Sequence, residues 1–125
     1  MSPTDKRVLC VEPDDDTAEI VSEVLLRAGY AVVSVSSAAA ALDMLAQQKF
    51  DLVLSDYRLP MMSGTRMLHE ARAQGLLAGA ACLLFTAHPA PEVLEDLEVV
   101  PKPLDVALLL QRVASALAKG GRTAA

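Results

Sequence analysis

A chain of 125 residues is long enough to bury one core and short enough to be one domain. Just over half of it is hydrophobic (53%), yet only 3% is aromatic and Trp is absent, so Val, Leu and Ala must build the core, as in a parallel sheet covered by helices. The net charge of −5 argues against a nucleic-acid surface, and the longest apolar stretch, Leu76 to Ala87, is too short for a bilayer and punctuated by Gly75 and Gly79.

No apolar run backs the N-terminal Met1-Ser2-Pro3-Thr4-Asp5-Lys6-Arg7, so no signal peptide is visible. The first element is a strand, Arg7-Val8-Leu9-Cys10-Val11. The acidic loop Glu12-Pro13-Asp14-Asp15-Asp16 follows, and any of its aspartates can cap a helix from Thr17 to Ala28 that Gly29 ends. Ile20, Val21, Val24 and Leu25 form its apolar stripe. Ala31 to Val35 is the second strand. Ser36 or Ser37 then caps an Ala-rich helix to about Gln48, with Ala41, Leu42 and Leu45 inward.

The third strand, Asp51 to Ser55, contains the bulky run Leu52-Val53-Leu54, apolar on both faces as a buried parallel strand requires. Asp56 closes it, and Pro60 and Gly64 force a loop. Ser63 caps a helix from Gly64 or Thr65 to Gln74. The fourth strand, Ala80 to Phe85, ends at Thr86. Beyond it the pattern thins: His88-Pro89-Ala90-Pro91 breaks the chain, and Glu92 to Leu97 allows one or two helical turns. Val99-Val100 is a very short fifth strand before Pro101-Lys102-Pro103. Asp105 caps a final helix with Leu108, Leu109, Val113, Ala116 and Leu117 as its buried face, and Gly120-Gly121 ends it.

Five βα units without repeat or linker predict a single doubly wound α/β domain over 1–125, its core at about 6–119 between short frayed tails. Cys10 and Cys82 fall inside predicted strands without a metal-ligand spacing, which suits a reducing cytoplasm.

An Asp after a strand is most often a turn or cap residue. What raises Asp56 above that reading is the company it keeps: Glu12, Thr86 and Lys102 stand at the ends of the first, fourth and fifth strands. Parallel strands deliver all four to one C-terminal edge. Two carboxylates, a hydroxyl and an ammonium suit phosphoryl transfer, one carboxylate attacking phosphorus and the other holding Mg²⁺. The hydroxyl and ammonium can take charge on the transferred oxygens.

Asp51-Leu-Val-Leu-Ser-Asp-Tyr-Arg-Leu-Pro-Met-Met-Ser-Gly64, together with Leu83-Leu84-Phe85-Thr86-Ala87 and Lys102-Pro103, resembles the receiver (response regulator) domain of bacterial two-component signalling over nearly the whole chain. The resemblance implies a flavodoxin-like five-stranded parallel sheet of order 2-1-3-4-5 with helices on both faces. It makes Asp56 the phosphoacceptor, Thr86 the switch hydroxyl and Lys102 the phosphate-pairing lysine, with a Lys-Pro bond that is often cis in the family. The metal, Mg²⁺, would take Glu12, Asp56 and the backbone carbonyl of Arg58, while the side chains at Arg58 and His88 would modulate dephosphorylation. The implied partners are a histidine kinase or histidine phosphotransfer protein and a downstream protein, with neither nucleic acid nor membrane. The domain is expected to be stand-alone, cytoplasmic, and a phosphoacceptor rather than an enzyme.

Three departures from the family pattern bear on function. Its adjacent acidic pair falls here on Glu12 and Pro13, and proline brings no side-chain oxygen to a metal, so Mg²⁺ binding is expected to be weak. Asp14 could substitute if the loop bends; a register with Asp14-Asp15 as the pair would shorten the connection to the first helix by two residues. Val99 stands where the family usually carries a switch aromatic, so an aromatic swing there cannot report phosphorylation. The segment from Thr86 to Lys102 is short for the family, which leaves a stub where a helix between the fourth and fifth strands belongs.

Two other readings compete. A pseudo-receiver would keep the fold and signal by constitutive contact; Pro13 and Val99 favour it, whereas the retained Asp56, Thr86 and Lys102 oppose it. A flavin carrier on the same sheet needs a Gly/Ser/Thr-rich phosphate cradle after the first strand, and Asp14, Asp15 and Asp16 would repel that phosphate. Met61 and Met62 either pack against a docking helix or cover the core. The acidic residues Glu92, Glu95, Asp96 and Glu98 read as a solvated face.

Overall fold

Alternating strands and helices, read in order along the chain, become a parallel sheet with helices on both faces in the computed structural model, which describes residues 6–87 and 97–119. The strands are β1 (Arg7–Val11), β2 (Ala31–Val35), β3 (Leu52–Asp56), β4 (Ala81–Thr86) and β5 (Glu98–Pro101), all parallel, in the order β2-β1-β3-β4-β5. Four helices are found among the described residues: α1 (Asp15–Arg27), α2 (Ala38–Gln47), α3 (Gly64–Ala73) and α4 (Val106–Lys119). None is long and apolar enough to cross a membrane. The stub at Glu92 to Leu97 lies outside the described residues except for Leu97, which is buried.

Each helix starts at a side-chain cap that satisfies otherwise unpaired N–H groups. Asp14 accepts from the Thr17 N–H and hydroxyl, so α1 begins two residues earlier than its apolar stripe suggests, with Asp15 and Asp16 in the first turn where the helix dipole favours acids. Ser37 accepts from Ala40 N–H, Ser63 from Arg66 N–H and Asp105 from Leu108 N–H. Gly29 ends α1 at φ 100°.

Side-chain alternation along the strands splits the core in two. Leu9, Val11, Val53 and Leu84 face α2 and α3, meeting Ala41, Leu45, Met67 and Leu68. Cys10, Leu52, Leu54, Leu83, Phe85 and Val100 face α1 and α4, meeting Val21, Leu25, Leu109, Val113 and Ala116. Burial of each such leucine or valine contributes about 1.5–3 kcal/mol. The helical stripes are narrower than the sequence suggests: Ile20 is 52% exposed, and Leu108 is only half-buried. Each lies one residue outside the i, i+4 pairs that meet the sheet.

Neither Cys10 nor Cys82 is in a disulfide. Burial, reinforced by the Glu12 charge, pushes the Cys10 thiol up to about 12. Cys10 is therefore expected to resist iodoacetamide at pH 8 in the folded protein and to react after denaturation. Rapid native labelling of Cys10, read by peptide mass, would contradict this burial.

Candidate functional site

The C-terminal sheet edge is where the chemistry-bearing residues meet. Glu12 directly follows β1 and is 3% exposed; Asp56 is the last residue of β3; Thr86, also buried, is the last of β4. Lys102 directly follows β5, its backbone N–H donating to the Thr86 carbonyl at 3.0 Å, and the Lys102–Pro103 peptide is cis. Glu12, Asp56 and Lys102 continue the alternation of Cys10, Leu54 and Val100, so all three emerge on the α1/α4 side. Thr86 follows Leu84 on the opposite alternation.

The Lys102 ammonium sits between the two carboxylates, 3.0 Å from Glu12 Oε1 and 3.2 Å from Asp56 Oδ2. The remaining oxygens also have donors: the Asp14 N–H reaches Glu12 Oε2 at 3.1 Å, and the Arg58 N–H reaches Asp56 Oδ1 at 3.3 Å. Buried carboxylates need such partners, because each unpaired one would cost several kcal/mol of lost hydration.

Burial raises the Glu12 carboxyl above its ordinary 4.5; the Asp14 N–H and Lys102 oppose the rise, and the Asp56 charge adds to it. For Lys102 burial pulls downward, but its bonds to Glu12 and Asp56 outweigh that and hold the ammonium above its ordinary value. Asp14 is lowered by its bonds to Thr17.

A raised acid binds more protons in the folded than in the unfolded state. The stability linked to Glu12 is therefore complete below its ordinary 4.5 and is lost as pH rises through its folded value. Urea denaturation across a pH series should show this fall in the wild type, and Glu12→Gln should flatten it. Identical slopes in both proteins would remove Glu12 as the cause.

The other expected site residues are placed as follows. Asp14 caps α1 with its carboxylate on Thr17. Arg58 is exposed at the rim, its backbone bridged to Ser63. His88 lies outside the described residues. No group of three or more His, Cys, Asp or Glu that could hold a metal occurs among the described residues. The oxygen donors that converge are the carboxylates of Glu12 and Asp56, joined through the Lys102 ammonium, and such hard oxygen ligands suit Mg²⁺ with water completing its octahedron.

Three features escaped the sequence reading. Met61, rather than a glycine, takes the left-handed turn of the β3–α3 loop, at φ 76° and 99% exposed, while Met62 packs on the core. Gly64 lies so close to the Asp56 carbonyl that a β-carbon would collide with it. Phe85 places its ring under the Lys102 ammonium, 5.0 Å from Nζ to the centroid. The only hint in the chain was its place immediately before Thr86.

A family model described as the response regulator receiver domain matches residues 8–114. A response regulator receiver protein of Anaeromyxobacter sp. is 35% identical over 84% of this chain and 46% of its own length. The response regulator protein FleR of Pseudomonas aeruginosa is 36% identical over 86% of this chain and 24% of its own. The chain thus spans less than half the length of these curated relatives. Among solved structures, the chemotaxis response regulator CheY4 of Vibrio cholerae superposes with a TM-score of 0.81 at 25% identity, covering 90% of this chain and 99% of that one. The receiver domain from the hybrid histidine kinase CckA gives a TM-score of 0.79 at 27% identity over 89% of this chain and 98% of that one.

Proposed function

The chain belongs to the response regulator receiver family, and from that premise we propose that it accepts a phosphoryl group on Asp56 from a histidine kinase or histidine phosphotransfer protein and reports it by protein–protein contact. The observation that carries this reading is the convergence of Glu12, Asp56 and Lys102 within hydrogen-bond distance at the sheet edge. An Asp56 carboxylate oxygen attacks phosphorus as the phosphorus–nitrogen bond of the donor phosphohistidine breaks and the imidazole leaves with a proton. Lys102, already beside Asp56 Oδ2, then turns to a phosphoryl oxygen, and the Thr86 hydroxyl takes another. Hydrolysis reverses the modification: water attacks phosphorus, the bond to Asp56 breaks, and inorganic phosphate departs. The side chains at Arg58 and His88 would set the rate of that step.

Mg²⁺, when bound, would be held by the carboxylates of Glu12 and Asp56 and the Arg58 carbonyl, and would supply positive charge against the transferred oxygens. Pro13 in place of an acid makes that site weak. The domain would work in the cytoplasm, and its output surface would be the face around β4, β5 and α4. The second reading, a receiver that signals by constitutive contact without phosphorylation, draws on Pro13 and on Val99.

Intact mass after incubation with acetyl phosphate and Mg²⁺ tests the choice. The wild type is expected to gain the mass of one phosphoryl group and Asp56→Asn none. A wild type that gains nothing at any Mg²⁺ concentration would overturn the phosphoacceptor reading and favour the constitutive one.

A further inference from the structure

We infer that Phe85 is a positioning residue for Lys102: its ring is the surface over which the ammonium is held and moves between the carboxylates and an incoming phosphoryl group. The inference rests on the phosphoacceptor reading of Asp56 and adds a residue to that site. Phe85 stands in register with Asp56 on one neighbouring strand and with Val100 on the other. It is 3% exposed and packed in the layer that includes Leu83, Val100, Leu109 and Val113, so the ring has little freedom to turn away. Lys102 lies two residues beyond Val100 on the same alternation, which returns its side chain over that ring. The ammonium is thus held from three directions: Glu12, Asp56 and a π face.

The three contacts differ in kind. A hydrogen bond to a carboxylate is directional and is lost once the ammonium moves. Attraction to the ring quadrupole acts over the whole face. When Asp56 gains a phosphoryl group, Nζ must exchange a carboxylate oxygen for a phosphoryl oxygen. With the ring beneath it the ammonium pivots over an attractive surface rather than passing through solvent. A leucine at position 85 would fill most of the volume and cover the lysine methylenes, but it has no such face.

The test separates charge from packing. Phe85→Leu and replacement of Phe85 by 3,4,5-trifluorophenylalanine, which keeps the ring's shape while withdrawing electrons from its face, are compared with wild type. The readouts are phosphoryl uptake from saturating acetyl phosphate, thermal melting, and the proton shifts of the Lys102 ε-methylene group. Uptake is expected to slow about threefold to tenfold in both variants, with melting unchanged in the fluorinated protein. The ε-methylene protons should be shifted upfield by the ring in wild type and lose that shift in Phe85→Leu. Wild-type uptake in the fluorinated protein would overturn the proposal, whether or not the leucine variant slows, because packing alone would then suffice. If the wild type takes up no phosphoryl group, the phosphoacceptor reading fails by itself and the shifts decide the contact. Unshifted ε-methylene protons in wild type would overturn it.

Discussion

Gly64→Ala is expected to lower the melting temperature by about 10–15 °C, the consequence of roughly 3 kcal/mol of overpacking in a domain of this size. Gly64 opens α3 at a position buried against the end of β3, and its N–H donates to the Tyr57 carbonyl at 2.6 Å. A β-carbon there would be driven into the carbonyl oxygen of Asp56 and would lie 2.9 Å from Ser55 Oγ. The main obstacle is backbone, which cannot rotate aside as a side-chain tip could. Relief would require α3 to lift or the Asp56 peptide to shift. Either movement displaces the carboxylate from Lys102, so phosphoryl uptake should fall together with stability. A melting temperature within about 2 °C of wild type would show that α3 does not press on the Asp56 segment in this way.

Lys102→Met should cost roughly 2–4 kcal/mol near pH 7.5, somewhat below the usual penalty for unpairing a fully buried charge because water can reach the lysine's position. The side chain of Lys102 is 22% exposed, against 3% for Glu12 and 11% for Asp56. Methionine keeps much of the stem but leaves both carboxylates without their shared ammonium. Glu12, already raised by burial, loses one of the contacts that oppose the rise, so the folded variant holds its proton to still higher pH. The sign follows from linkage: the penalty is small below 4.5, the ordinary value for Glu12, and grows as pH rises through its folded value. Urea denaturation of both proteins at pH 4.5 and 7.5 measures this. A stability difference that is equal at the two pH values, or larger at the lower one, would mean that Lys102 is not the counter-charge of this pair.

The two substitutions separate what is local from what is not. Gly64 was legible as a loop residue beside Pro60, but glycine is needed there for room rather than for an unusual backbone angle. The left-handed turn falls on Met61 instead. Lys102 was legible as a site residue because it stands at a strand end with Asp56 and Thr86. Its bond to Glu12, 90 residues away, depends on how β5 and β1 are placed around β3 and β4.

Fold class, strand limits to within a residue and the gathering of Glu12, Asp56, Thr86 and Lys102 at one edge follow from the chain read alone, whereas the sheet order came from the resemblance to the receiver family. The reason is that hydrophobic periodicity and caps such as Ser37, Ser63 and Asp105 are local signals, and parallel strands joined by helices must all end on the same side. Tertiary structure alone decided that all four carboxylate oxygens of Glu12 and Asp56 are met by donors, that Phe85 lies beneath the ammonium, and that α3 leaves no space for a β-carbon at position 64. Those facts depend on register and on packing distances between segments remote in the chain, and a side-chain pattern along one segment carries no record of its neighbours' distances.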